Sequence, residues 1–389
     1  MPGFFREFIL KVASRCNLDC DYCYMYRLAD QSWRTQPRVM SLDIARRIGF
    51  RISEHVRPRG FRSAYVSLHG GEPLLPGVEF LDTFCQAISE AADDVELRFA
   101  MQTNGTLFDD AALELCRKWR IRVGLSIDGP RAANDLHRLD FTGATSFPAA
   151  ERALRLLSSE TGRPVWGGIL SVIDLKNDPL EVYAYLRSFS PSSIDFVLPL
   201  GNYAARPPGK TDLNSTPYAD WLLTIFHKWF HERPQTTRIR KFTDIIRLMA
   251  GSAQCSEEWG LGPKELIVIE TDGTIEGVDT LKSAFPGAAR LGMNVFANAF
   301  DDALAIPRIR ERLGGREQLC EVCRNCDLVA VCGGGYFPHR YAPGAEFQNP
   351  SVYCSDLDKL IREIHRTVSA YINAIGTTAC EDNPAERGE

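Results

Sequence analysis

Short apolar, β-prone runs alternate with helical stretches over the first 230 residues, and this alternation narrows the possible folds more than any other feature. The runs are residues 7–13, 62–69, 96–102, 120–127, 165–173 and 194–198. Between them lie stretches with apolar residues at one-turn spacing. Ser41 is placed to cap a helix that carries Ile44, Ile48 and Ile52 on one face. Further helices are expected around 81–91, 111–118, 147–158 and 179–188. Strand–helix alternation predicts an α/β fold with a parallel sheet and crossover helices. Six such units suit a partial (β/α)6 TIM barrel rather than a closed eightfold one. Functional residues then belong at the C-terminal strand ends.

The chain has 389 residues, enough for two domains. We expect a barrel over 1–230, a linker and helix over 231–254, a cysteine-rich α+β domain over 255–375, and a flexible tail over 376–389. A helix over 218–231 carries Trp221, Ile225 and Trp229 at one-turn spacing, read as core. Lys and Arg number 45 against 50 Asp and Glu, a net charge of −5, so no general affinity for nucleic acid or anionic membrane is implied. No stretch is long and apolar enough to span a bilayer. The first residues lack the regions of a signal peptide, which points to the cytoplasm. In that reducing setting twelve cysteines suggest metal binding or chemistry rather than disulfides. Cys85 and Cys116 stand alone on expected helices and read as small core residues. Cys380 falls in the tail and is read as incidental.

Chemistry-bearing motifs follow the first four runs. Cys16, Cys20 and Cys23 stand as C-x-x-x-C-x-x-C directly after the first. Three thiolates on one short loop can hold three corners of a [4Fe–4S] cube and leave the fourth iron open to a ligand. The competing reading is three structural cysteines. His69-Gly-Gly-Glu-Pro73 follows the second run and Gln102-Thr-Asn-Gly105 the third. Ser126-Ile-Asp-Gly-Pro130, then Asp135-Leu-His-Arg138, follow the fourth. Alone, each of these also marks an ordinary turn, and Arg138 also fits a surface ion pair.

Together, in this order, the motifs resemble those of the radical S-adenosylmethionine (SAM) superfamily. The resemblance implies that Cys16, Cys20 and Cys23 ligate a [4Fe–4S] cluster whose open iron chelates SAM. It implies that Tyr22 packs against the adenine. The edge formed by Gly70, Gly71, Glu72 and Pro73 would bind the amino group of SAM. Gln102 and Asn104 would belong to the cofactor site, with Ser126 and Arg138 on the SAM carboxylate.

The C-terminal part opens with an expected β-hairpin over 265–279, turning at Thr-Asp-Gly-Thr. Cys320, Cys323, Cys326 and Cys332 follow, then Gly-Gly-Gly and, later, Cys354. By itself C-x-x-C suits zinc or a redox pair. The full pattern resembles the SPASM extension of radical SAM peptide maturases. That resemblance assigns Cys323, Cys326, Cys332 and Cys354 to one auxiliary [4Fe–4S] cluster. Two cysteines usual in the extension are replaced by Val278 and Tyr336, so a second auxiliary cluster is not expected. Cys255 and Cys320 are extra thiols without an assigned role.

Within the extension the chain most resembles Fxs-type maturases of ribosomal peptides, over about residues 5–365. That likeness implies abstraction of a β-hydrogen from a precursor peptide and a C–C bond to an aromatic ring, giving a three-residue cyclophane. Asp279 is the candidate base that takes the ring proton, by resemblance to sulfatase-maturing enzymes; the alternative is an aspartate that satisfies the hairpin end. His69 and His339 are lesser candidates, and Asp30, Trp33 and Arg34 are expected at the mouth of the site. Implied partners are the precursor peptide and an electron donor such as flavodoxin or ferredoxin; the peptide binds either by strand addition to an exposed sheet edge or through a separate leader-binding protein. Two rival functions stay open. One is peptidyl oxidation or thioether formation. The other is an iron–sulfur redox or binding protein without SAM turnover.

Overall fold

The computed structural model describes residues 3–252, 256–262 and 264–381, with side chains as far as residue 374. Cys255, the Cys380 side chain and the end of the expected tail, 382–389, lie outside the described residues. Ten strands form one sheet in the order β10-β9-β8-β1-β2-β3-β4-β5-β6-β7 among the described residues. Six parallel neighbours make the partial barrel. They are β1 (Glu7–Ala13), β2 (Ser63–Gly70), β3 (Glu96–Thr103), β4 (Arg122–Ser126), β5 (Trp166–Val172) and β6 (Ser193–Val197). A two-residue strand, β7 (Arg238–Ile239), extends this edge.

The helices sit where the one-turn spacing places them. Ser41 Oγ accepts from Ile44 N at 3.3 Å and caps α1 (Leu42–Val56), which buries Ile44, Ile48, Ile52 and Val56. These residues pack toward α2 (Val78–Ala91). Asp109 caps α3 (Asp110–Trp119) in the same way. At the far end of α3 Arg120 takes a left-handed conformation (φ 53°), so β4 starts at Arg122, later than its apolar pattern suggests. Next come α4 (Arg131–Asn134), α5 (Phe147–Ser158), α6 (Pro179–Arg187), α7 (Pro217–His231) and α8 (Arg240–Met249). Trp221, Ile225 and Trp229 are buried, as core residues. So are Cys85 and Cys116, and the ten cysteines with described side chains are all free.

The hairpin expected in the C-terminal part forms, but it is built into the barrel sheet. Its first strand, β8 (Leu266–Ile269), runs parallel to β1 with Glu7 opposite Leu266 and Leu10 opposite Ile269. Then β9 (Thr274–Glu276) and β10 (Arg290–Asn294) add antiparallel. The C-terminal helix, Cys354–Glu381, packs against α7 and α8 and continues into the segment expected as a tail. Its Asp356 pairs with the buried Lys210 and accepts from Tyr218 N (2.9 Å) and Ala219 N (3.0 Å). It thereby caps α7 from a distant part of the chain. No helix among the described residues is long and apolar enough to cross a membrane.

Candidate active site

The loop after β1 carries Cys16, Cys20 and Cys23, all half-buried. It is pinned from two sides. Asp19 N donates to Leu139 O at 2.8 Å, and Cys23 N to Cys20 O at 3.1 Å. Asn104 Nδ2 reaches Asn17 Oδ1 at 2.9 Å and Cys16 Sγ at 3.7 Å, while Asn17 Nδ2 donates to Thr106 Oγ1 at 2.7 Å. Asn104 at the end of β3 thus fixes the loop that bears the thiols. Burial pushes the Cys16 thiol up to about 12 and the Cys20 thiol up to about 11; the Arg138 charge pulls the other way at Cys20. Burial raises Cys23 as well. Metal binding must displace these protons.

The glycines after β2 serve a packing need first. A Cβ on Gly70 (φ 146°) would lie 2.0 Å from Ala13 O. One on Gly71 would lie 2.0 Å from the Tyr26 hydroxyl and 2.3 Å from Arg15 O. Gly71 N donates to Ala13 O and Glu72 N to Arg15 O, each at 3.0 Å. These donors are therefore turned inward, onto the loop after β1. Glu72, expected on the SAM amino group, is fully buried and turns its carboxylate into the protein. It accepts from Leu74 N (3.1 Å), Thr103 Oγ1 (2.7 Å) and Asn104 N (2.8 Å), and burial raises its pKa to about 7. Its side chain ties the β2 loop to the end of β3, and Pro73 beside it is buried.

Across the loop, Gln102 Nε2 donates to Ser126 Oγ at 2.7 Å. Gly124 makes room for it, since a Cβ there would lie 2.3 Å from Gln102 Oε1. Buried Arg138 donates to the Tyr22 hydroxyl at 2.7 Å, and Tyr22 donates to Asp128 Oδ2 at 2.5 Å. Arg138 is therefore no surface ion pair; it lies buried beside the cluster loop. Asp128, which the sequence reading passed over, anchors this chain of contacts through Val172 N (3.0 Å).

A second polar group lies at the ends of β1 and β2. Lys11, wholly buried, pairs with Asp279 and lies 2.9 Å from His69 Nδ1. Tyr24, next to Cys23, donates to Asp279 Oδ2 at 2.7 Å. Burial opposes ionisation of Asp279, yet the Lys11 charge and the hydrogen bonds from Lys11 and the Tyr24 hydroxyl outweigh it and hold the carboxyl well below its usual range. His69 is pulled down to about 3 by burial and then by Lys11, so it is neutral. Lys11 is a miss with a signal: it is the one charged residue inside the apolar run Phe8–Ala13. Asp30 is buried and accepts from Ser32 N (2.7 Å) and Gly287 N (2.5 Å), which fastens the loop. Trp33 packs edge-on to Tyr26 at 5.0 Å.

Farther along the chain Cys323, Cys326, Cys332 and Cys354 line one cavity, closed on its apolar side by Val329 and Leu357. Cys320 packs behind it with Leu319, Cys323 and Val329. The two positions without the usual cysteine are filled. Val278 is packed with Leu266, Val268 and Leu281, and the hydroxyl of the half-buried Tyr336 meets Thr280 Oγ1 at 2.5 Å. His339 lies between the rings of Tyr336 (5.3 Å) and Tyr353 (4.8 Å), and burial lowers it to about 3, a structural histidine. No three Cys, His, Asp or Glu side chains among the described residues converge tightly enough for one metal ion. Each thiolate on a four-iron cube takes its own iron, so ligands of a cube need not meet at a point. Both cysteine sets fit such a group in donor type and enclosure.

Residues 10–185 match the sequence model of the Radical SAM superfamily. A serine-type anaerobic sulfatase-maturating enzyme of Klebsiella aerogenes is 27% identical over 358 residues, 88% of this chain and 82% of the relative. A cysteine-type anaerobic sulfatase-maturating enzyme of Clostridium perfringens (strain 13) is 24% identical over 335 residues, 84% of this chain and 87% of the relative. Native anSMEcpe with bound AdoMet and Cp18Cys peptide shares the fold with a TM-score of 0.79 at 22% identity, covering 95% and 99% of the two chains. Streptococcus suis SuiB bound to precursor peptide SuiA gives 0.60 at 15% identity, covering 90% and 76%. Fold, strand-end motifs and matched span agree: the chain carries a radical SAM domain, and it is a radical SAM enzyme.

Proposed function

We propose that the protein matures a ribosomally made precursor peptide, removing a side-chain β-hydrogen and joining that carbon to an aromatic ring in a three-residue cyclophane. The observation that carries this reading is the ionised Asp279 held against the cluster loop by Tyr24 and Lys11. A peptide substrate is supported by the relatives, which are named as maturating enzymes or seen with peptides.

When bound, SAM and a [4Fe–4S] cluster on Cys16, Cys20 and Cys23 supply one-electron hydrogen-atom abstraction. The chain's own groups position and deprotonate. Carbonyl oxygens of the Gly70–Gly71 edge suit the SAM ammonium. Arg138 has one donor on Tyr22 and others suited to a carboxylate, with Ser126 nearby on Gln102. Tyr22 is fixed for stacking by Arg138 and Asp128.

Lys11 and Tyr24 both act on Asp279 Oδ2, and no described side chain donates to Oδ1. Oδ1 is thus the oxygen suited to take a proton. Its low basicity suffices, because a ring regaining aromaticity releases a strongly acidic proton. Cys323, Cys326, Cys332 and Cys354 would hold an auxiliary cluster, which would supply an acceptor for the leftover electron. An external donor such as flavodoxin or ferredoxin resupplies the SAM site, and a separate protein binds the leader.

A second reading, peptidyl oxidation of sulfatase-maturase type, is favoured by the similarity over 88% of the chain. The same groups serve it. Incubation of reconstituted enzyme with SAM, a reductant and the peptide encoded beside its gene separates the two. Both products lose two hydrogens. Tandem mass spectra that lack fragments between the joined residues support the crosslink. Complete fragmentation across that span assigns the oxidation instead.

A further inference from the structure

Arg340 stands beside the auxiliary cysteines with no acid paired to it among the described residues. Its side chain ends the short turn Phe337–Arg340 and is 7% exposed. Nε donates to Gly334 O at 3.0 Å, and Nη2 donates to Gly333 O and Gly335 O, each at 2.7 Å. The Phe337 ring lies 5.6 Å below the guanidinium. No carboxylate among the described residues forms an ion pair with it.

A buried cation with only neutral acceptors is costly unless an anion is supplied nearby. Groups able to carry negative charge that act on it are the thiols of Cys332, Cys323 and Cys320 and, more weakly, the Glu311 carboxylate. The glycine turn between cation and thiols has two faces. Gly333, Gly334 and Gly335 are all left-handed, with φ of 60°, 79° and 71°. Their carbonyls wrap the guanidinium, and Gly334 also lines the cavity of Cys323, Cys326, Cys332 and Cys354. A Cβ on Gly334 would lie 3.0 Å from Arg340 Nη2, and one on Gly333 would lie 2.1 Å from Gly260 O. Glycine is required here by the backbone and by the space.

We infer that Arg340 is the counter-ion of the auxiliary cluster, and that its buried charge raises the cluster's reduction potential so that the site accepts an electron. The inference rests on the auxiliary cluster of the proposed function. One added electron is one added negative charge opposite the guanidinium, and a low-dielectric setting magnifies that attraction. Net charge and hydrogen bonds to sulfur are levers that set such potentials.

The test uses the full chain with Cys16, Cys20 and Cys23 changed to alanine, so that only the auxiliary site holds iron. After anaerobic reconstitution, redox titration followed by electron paramagnetic resonance reads the midpoint with Arg340 intact, with Arg340→Gln and with Arg340→Lys. We expect equal iron in all three, a midpoint shifted to lower potential in the Gln variant, and a Lys variant closer to the parent. Loss of iron in Gln but not in Lys supports the counter-ion role too. An unshifted midpoint in Gln, or equal loss of iron in Gln and Lys, overturns it and leaves Arg340 as a clamp on the glycine turn. A parent without iron overturns the auxiliary cluster itself, which separates that failure from one of Arg340 alone.

Discussion

Lys11 and Asp279 hold opposite charges in a setting where neither is tolerable alone. Breaking a buried pair from one side costs about 3–5 kcal/mol, because the partner is left charged and unmatched. Asp279→Asn is therefore expected to lower the denaturant midpoint, and Lys11→Met combined with Asp279→Asn to recover most of the loss. Function should not recover with stability. Both variants should still form deoxyadenosine in the presence of peptide, yet lose modified product by about 10²–10⁴-fold, the usual worth of a placed proton acceptor. Normal product from the double variant would show that the proton goes elsewhere. The carboxyl sits below its usual range in the fold, so its stabilisation is present above about pH 4 and is lost on further acidification. The sequence showed Asp279 as a candidate, while Lys11 passed as part of a strand. Their pairing spans 268 residues, and no local pattern carries it.

At the scale of elements, the end of β2 shows how a motif can be legible while its reason is not. The adjacent glycines read as room for a ligand, but the atoms they admit belong to Ala13, Arg15 and Tyr26 of the neighbouring loop. Gly71→Ala is thus expected to push the cysteine loop off β2. Iron and sulfide per chain should fall by roughly half, from two four-iron cubes to one. Full iron content in this variant would mean that the loop adjusts without losing its ligands. Strand and helix positions were readable because apolar periodicity is local. The start of β4 was not, because the left-handed Arg120 overrides an apolar run that begins earlier. Glu72 was legible as part of a strand-end motif, but the three donors of its own chain that hold its carboxylate were not, because they lie on another strand end or in the turn that follows.

For the whole molecule the telling contact is β8 on β1. The sequence separates a barrel from a cysteine-rich extension by composition, and composition cannot report that a strand after residue 265 finishes a sheet begun at residue 7. With β8 in place β1 is an interior strand, and it carries both Lys11 and the root of the Cys16 loop. A fragment ending at residue 254 would turn β1 into an open edge, with its backbone donors and acceptors bare. Size-exclusion chromatography should find that fragment aggregated, and a monodisperse, iron-loaded fragment would refute the dependence. The two halves are consequently not exchangeable parts. A chimera that borrows a C-terminal half from a relative would inherit only that half's cysteines unless its first strand also matched the register of β1. Change in one half is answerable, along a shared hydrogen-bond ladder, to change in the other.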